Sequence, residues 1–325
     1  MRHTSIVGFA GLALAAAAVL PGPADARDGG LRQRLLERWA QRQAQGSDAA
    51  RAPQAGKPQT IAYGGDPLQV LDLWPVARAA DPALSAATPA APLIVFVHGG
   101  GWKRGSKDNA AGSWKQVHYP DQGYVYASIN YRLVPQATVE QQAADVATAL
   151  RALLDRAGPL GIDRHRVVLM GHSAGAHLVA LVGTDERYLR GVGLSFRDLS
   201  GVIPIDGAAY DVPRQIAEGG RFMHDTYLQA FGSDPARQRA LSPAMQAASP
   251  NAPAFLLLHV QRPDGIAQAK ELESALRQDG AAVERRDFPG TGLQGHAEIN
   301  RRLGDPDYAA TPVVDAWLKL VFARG

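Results

Sequence analysis

From Leu93 onward, apolar residues come in short unbroken runs, separated by stretches in which they recur every three or four positions. The runs Leu93 to Val97, Gly123 to Ile129, Arg166 to Met170, Val202 to Ile205 and Phe255 to Val260 predict strands, and the more polar Val283 to Phe288 is read as a sixth. Helical spacing over Val139 to Leu154, Ala174 to Val182, Ala267 to Leu276, His296 to Leu303 and Val313 to Phe322 predicts the helices between and after them. Strands that are apolar on both faces belong in a parallel sheet covered by helices on each side. The pattern therefore predicts the α/β class with a mostly parallel central sheet. Two alternating runs, Thr60 to Tyr63 and Leu68 to Trp74, precede this region and read as antiparallel edge strands. Between Tyr210 and Pro250 the rhythm breaks, with prolines at 213, 235, 243 and 250 among scattered aromatics. Such an excursion between strands is expected to cover a ligand pocket, a small cap over about residues 207–250. Its Tyr210, Phe222, His224 and Phe231 are candidate pocket residues for that reason alone.

The N-terminus changes the picture of where the protein works. Arg2 and His3 precede an almost wholly apolar, alanine-rich run from Ile6 to Leu20, and Ala24-Asp25-Ala26 supplies an A-x-A cleavage site. This pattern predicts a secretory signal peptide over residues 1–26 and a periplasmic or secreted protein with no stable membrane span after cleavage. Leu31, Leu35 and Trp39 then lie at four-residue spacing among arginines, which predicts an amphipathic arm and linker over residues 27–58. The catalytic domain is expected over residues 59–325.

Composition removes several alternatives. The net charge is +3, but seven basic and three acidic residues fall between Arg27 and Pro58, so the remainder is close to neutral. With no basic stripe carrying interleaved aromatics in the main domain, nucleic acid is not an expected partner. The chain has no cysteine. Disulfide staples, a cysteine nucleophile and a thiolate metal site are thereby excluded. No His/Asp/Glu cluster has ligand spacing, so neither metal nor cofactor is expected.

Two motifs carry chemistry. Val167 to His177 is an apolar run that stops at Gly171, places Ser173 two positions on and continues in small residues: a nucleophile elbow, Gly171-His172-Ser173-Ala174-Gly175. Glycines at its two ends remove the Cβ atoms that would clash in a sharp strand-to-helix turn. His98-Gly99-Gly100-Gly101-Trp102 directly follows the first buried strand. Its consecutive glycines let backbone N–H groups approach a substrate, and neither Walker nor dinucleotide-binding spacing is met.

With Asn130-Tyr131-Arg132-Leu133 between them, the HGGGW and GHSAG motifs resemble those of α/β-hydrolases of the carboxylesterase and hormone-sensitive-lipase-like group, and within it the feruloyl-esterase-like or kynurenine-formamidase-like bacterial esterases. The resemblance runs from about Tyr63 to the C-terminus. It implies an acyl-transfer site: Ser173 as nucleophile, and the N–H groups of Gly100, Gly101 and Ala174 as an oxyanion hole. The family's chain order of nucleophile, acid and histidine implies His296 as base, in the glycine-rich loop after the last strand. It also implies an acid between Ser173 and His296. Asp264, in the loop after the fifth buried strand, is the expected acid, although His259-Val260 replaces the family's usual His-Gly there. Asp206, ending the preceding strand, is the alternative. Trp102 is a candidate wall of the pocket, and Arg132 with Asp145 a candidate structural pair.

The expected function is hydrolysis of small to medium carboxylic esters through an acyl-serine. An amidase, formamidase or peptidase using the same machinery, or a catalytically silent binding protein, are the alternatives.

Overall fold

The computed structural model describes residues 54–77, 89–108, 114–248 and 250–324. The predicted leader and the arm through residue 53 lie outside the described residues.

In chain order the strands are β1 (Gln59–Ala62), β2 (Val70–Trp74), β3 (Ala91–Val97), β4 (Val125–Ile129), β5 (Ile162–His172), β6 (Gly201–Ile205), β7 (Ala254–Gln261) and β8 (Ala282–Thr291). The helices are α1 (Lys115–Asp121), α2 (Val139–Asp155), α3 (Ala174–Thr184), α4 (Arg187–Arg190), α5 (Val212–Glu218), α6 (Gly220–Phe231), α7 (Pro235–Ala240), α8 (Pro243–Gln246), α9 (Pro263–Gln278), α10 (Gly292–Arg302) and α11 (Ala310–Phe322). The strands form one eight-stranded sheet in the order β1-β2-β4-β3-β5-β6-β7-β8. β2 is antiparallel to β1 and β4, and every pairing from β4 across to β8 is parallel. This is the sheet the periodicity predicts, including its two antiparallel edge strands.

Alternation along the buried strands sorts the core into two layers. Leu93, Val95, Val97 and Leu169 face the side packed by α2 and α3. Ile94, Phe96, Val168 and Met170 face the side packed by α11 through Val314, Trp317, Leu318 and Val321. α3 has buried residues throughout, whereas α2 is amphipathic and begins at a Thr138–Gln141 capping box. The cap excursion resolves into four short helices, α5 to α8. Three of them start at Asp211, Asp234 or Ser242 with proline in the first turn, where a missing N–H costs nothing.

Candidate active site

The parallel strands β3, β5, β6 and β7 end on one edge of the sheet, the edge where open α/β sheets bind ligands. At the end of β5 the chain turns into α3 at Ser173, whose φ of 55° and ψ of −118° lie outside the usual regions for a residue with a side chain. Close packing forces that turn. A Cβ at Gly171 would lie 2.3 Å from the Gly175 carbonyl oxygen, and one at Gly175 would lie 2.1 Å from the Val97 carbonyl oxygen. Ser173 N–H donates to the Ile205 carbonyl at 3.0 Å, tying the elbow to the end of β6.

The HGGGW loop runs beside the elbow. Gly100 and Gly101 have φ of 125° and 61°. A Cβ on Gly100 would sit 2.0 Å from the Arg104 carbonyl oxygen, so the turn admits only glycine there. Trp102 follows with φ 61°, almost fully buried, its ring edge-on to His177, Phe231 and Tyr227. Its Nε1–H donates to His177 Nδ1 at 3.4 Å, while His177 Nε2–H donates to the Leu241 carbonyl at 2.9 Å. His177 therefore serves the wall of the site rather than its chemistry. Beneath the loop, His98 stacks on Tyr131 at 4.3 Å, and burial lowers its pKa to about 4.

His296 lies in the second turn of α10, because β8 continues to Thr291 and the helix begins at Gly292. The predicted glycine-rich loop is thus strand end and helix start. The His296 ring packs at 4.4 Å on that of His172, whose Nε2–H donates to the His296 carbonyl at 2.9 Å. Burial and the neighbouring His296 keep the His172 imidazole well below its ordinary pKa, so it stays neutral.

The carboxylate facing His296 is Asp206. Its Oδ2 accepts from His296 Nδ1 at 2.5 Å, and its Oδ1 accepts from His259 Nδ1 at 3.1 Å and from the Val260 N–H at 3.3 Å. Asp206 has φ 44°, and its own N–H donates to the Leu258 carbonyl at 2.7 Å. It is fully buried, yet donors from His259 and His296 and the Arg262 charge outweigh desolvation and hold its pKa well below the usual carboxylate value. The expected acid, Asp264, does not reach His296. Pro263 starts α9 one residue after β7 ends, so Asp264 falls in the first turn of a helix, 42% exposed, with Arg262 Nη2 3.4 Å from its Oδ2.

Ser173, Ala174, Gly101, Trp102, Asp206, Arg262 and His296 line one cavity of about 530 Å³, closed by Met223, Tyr227 and Gly219 of the cap and by Leu293. Among the hydrogen bonds of the described residues none joins Ser173 Oγ to His296, a contact that commonly tightens only when substrate is bound. Two expected pocket residues lie elsewhere. Tyr210 is fully buried behind the site, against Gly207 and edge-on to His259. His224 is on an exposed face of α6, its Nδ1 3.3 Å from the Ile216 carbonyl. Phe231 packs under Trp102, and the Phe222 side chain lies outside the described residues. The cap helix α6 does wall the site, but through Met223 and Tyr227, one helical turn apart on the same face. Away from the cavity, Arg132 and the buried Asp145 form the expected pair at 2.6 Å, with Gln69 Nε2 donating to the same carboxylate at 2.8 Å. Sequence reasoning did not single out Arg262 or His259 as partners of Asp206. Lys115, a fully buried lysine whose amine donates to the Asn300 carbonyl, was missed as well.

The chain is similar to known esterases in sequence and in fold. The BD-FAE family matches residues 83–195, the stretch that holds both motifs. Esterase LipC of Mycobacterium tuberculosis is 31% identical over 243 residues, 71% of this chain and 58% of that protein. Ethyl acetate hydrolase of Pseudomonas putida is 28% identical over 222 residues, 65% of this chain and 66% of that protein. The matched stretches thus span 58% and 66% of these relatives' lengths, less than two thirds of each. Among solved structures, esterase B from Lactobacillus rhamnosis superposes with a TM-score of 0.72 at 20% identity, over 93% of this chain and 96% of that one. A carbohydrate esterase from gut microbiota gives 0.65 at 17% identity, over 84% of this chain and 100% of that one. Among the described residues no helix is long and apolar enough to cross a membrane. With its eight-stranded, mostly parallel sheet flanked by helices, the chain has the fold of these α/β-hydrolase esterase structures and is similar in sequence to esterases.

Proposed function

We propose that the protein is an exported serine esterase that cleaves small to medium carboxylic esters. The observation that carries the reading is the meeting of Ser173, at a strained elbow, with His296 and Asp206 in one cavity that the Ala174 and Gly101 backbone also lines. Ser173 Oγ attacks the ester carbonyl while His296 Nε2 takes its proton, the His296 ring turned by Asp206 so that Nδ1 carries the other. The tetrahedral oxyanion forms against the N–H groups of Ala174, Gly101 and Gly100 at the positive end of α3. His296 then protonates the leaving alcohol, and the same base activates the water that hydrolyses the acyl-serine. In this scheme Asp206 is the acid, and Asp264 has no direct part.

A cavity of about 530 Å³, walled by Trp102, Met223, Tyr227 and Leu293, suits a short or medium acyl chain. The relatives' names, an ethyl acetate hydrolase and several isoprenylcysteine methylesterases among them, are of ester-cleaving proteins and support esters over amides. The export half of the reading rests on the leader pattern and is tested by fractionating cells that express the full chain. The catalytic half is tested with p-nitrophenyl acetate and butyrate: wild type turns both over and Ser173→Ala does not. Equal rates for the two proteins, with no labelling of Ser173 by a fluorophosphonate, would overturn it.

A further inference from the structure

Arg262 occupies the position between β7 and α9, and its side chain turns back into the cavity, 17% exposed. Its Nη1 lies 2.8 Å from Asp206 Oδ2, 3.5 Å from the Asp206 carbonyl oxygen and 2.7 Å from His296 Nδ1. Its Nη2 reaches out to Asp264 Oδ2 at 3.4 Å. One carboxylate oxygen of Asp206 is thus shared by a guanidinium and an imidazole that also touch each other.

That arrangement conflicts with the work asked of His296. If Nδ1 carries a proton and donates to Asp206, it faces a guanidinium N–H at van der Waals distance or less, with no lone pair to receive it. If instead Nδ1 accepts from Arg262, the ring proton sits on Nε2, which then cannot take the serine proton. In either case a fixed positive charge stands against the nitrogen that must join a second positive charge when the imidazolium forms. Asp264 supplies the exit: it sits at the rim, half in solvent, and already pairs weakly with the outer nitrogen of Arg262.

We propose that Arg262 is a positioning residue that restrains the base, holding His296 back while paired inward with Asp206 and releasing it when it swings out to Asp264. The proposal rests on the serine-hydrolase reading of this site. The neighbouring ionisable groups do not substitute for it. Asp206 is the shared carboxylate. His172 from β5 is kept neutral by burial, and His259 from β7 meets Asp206 from the far side. Lys115 of α1, buried next to His172, has its amine's proton affinity lowered well below the ordinary value by desolvation. On α10 itself, Glu298 and Arg302 pair with each other, and Arg302 also pairs with Asp305. The phenols of Tyr210, Tyr227 and Tyr308 are pushed up by burial and stay protonated.

The test is the pH profile of p-nitrophenyl butyrate hydrolysis by wild type, Arg262→Gln, Arg262→Lys and Asp264→Asn. Removing the cation in Arg262→Gln should raise kcat about three- to tenfold above pH 8 with KM within twofold. It should also move the acid limb of the profile up by about one pH unit, since the imidazolium is no longer repelled. Arg262→Lys keeps a charge and should keep the wild-type limb. Asp264→Asn removes the outward partner and should lower kcat about two- to fivefold. Coincident acid limbs in wild type and Arg262→Gln would overturn the proposal, as would a tenfold loss of kcat in Arg262→Gln with the limb unmoved. An NMR pH titration of the His296 ring protons in wild type and Arg262→Gln reads the same shift without turnover. Inactive wild type therefore sinks the esterase reading, whereas an unmoved NMR titration sinks the restraint alone.

Discussion

Replacing Asp206 by Asn separates the two candidate acids most sharply. The amide keeps the shape of the side chain but removes the charge that His296 Nδ1, His259 Nδ1 and Arg262 Nη1 all converge on. An amide NH₂ turned toward His296 forces the imidazole into the tautomer whose proton sits on Nε2. On the proposed triad, loss of its carboxylate in this way is expected to cost on the order of 10⁴ in kcat, or roughly 5.4 kcal/mol of transition-state stabilisation. Folding stability falls too. Breaking a fully buried pair costs about 3–5 kcal/mol. Arg262 is partly exposed and has Asp264 to fall back on, so the penalty here should be smaller, about 2–3 kcal/mol in urea unfolding at pH 7. The Asp206 pKa is depressed in the folded protein, so its contribution is present above the unfolded value of about 3.9 and is lost as pH falls below it toward the folded value. The stability gap between wild type and Asp206→Asn should therefore narrow below about pH 4. The assay is p-nitrophenyl butyrate turnover, with Asp264→Asn run beside it and expected to stay within about fivefold of wild type. A hundredfold loss in Asp264→Asn, with Asp206→Asn keeping a tenth or more of its activity, would refute the assignment.

Three other expectations follow from packing and burial. Gly175→Ala places a methyl group 2.1 Å from the Val97 carbonyl, so it should lower stability by about 2–3 kcal/mol and Tm by roughly 5–10 °C in calorimetry. An unchanged Tm would show that the elbow can open. Trp102→Ala empties the space between His177, Phe231 and Tyr227, and should cost about 3–5 kcal/mol in urea unfolding while raising KM for butyrate esters. Burial lowers the pKa of His98 and of His177 to about 4, so the unfolded chain takes up protons below pH 6.5 that the folded protein refuses. Stability should drop by at least about 2 kcal/mol between pH 7 and pH 5 in urea titrations, and a flat profile would contradict their neutral burial.

The parallel sheet was legible because its central strands are buried on both faces and write themselves as apolar runs, while the edge strand β8 is polar and largely exposed. The elbow at Ser173 was legible because a strand, a sharp turn and a helix leave glycines at fixed offsets, where a Cβ would strike backbone. The pocket wall was not. Met223 and Tyr227 reach the cavity because α6 happens to turn that face inward, while the equally plausible His224 lies on the other side of the same helix. One position of rotation decides which side chains face the cavity, and the apolar period of α6 marks its buried face without distinguishing cavity from core. Lys115 was hidden for a related reason: nothing in Trp114-Lys115-Gln116 marks a lysine that the fold buries completely over the Phe96 ring.

The two candidate acids show where chain order stops being informative. Asp206 and Asp264 both lie between Ser173 and His296, so the order nucleophile, acid, histidine is satisfied by either. The length of the connection after β7 separates them. With Arg262 alone between Gln261 and the first turn of α9, and Pro263 fixing the helix start, the backbone has no slack to carry the Asp264 carboxylate back over the sheet edge. Asp206 needs no such reach, because the end of β6 already stands next to the end of β5 and its φ of 44° aims the side chain along the sheet edge toward α10. The same short connection drops Arg262 where a longer loop would have put an acid. A cation thus comes to lie against the base, and the carboxylate at Asp206 has to serve His296, His259 and Arg262 together.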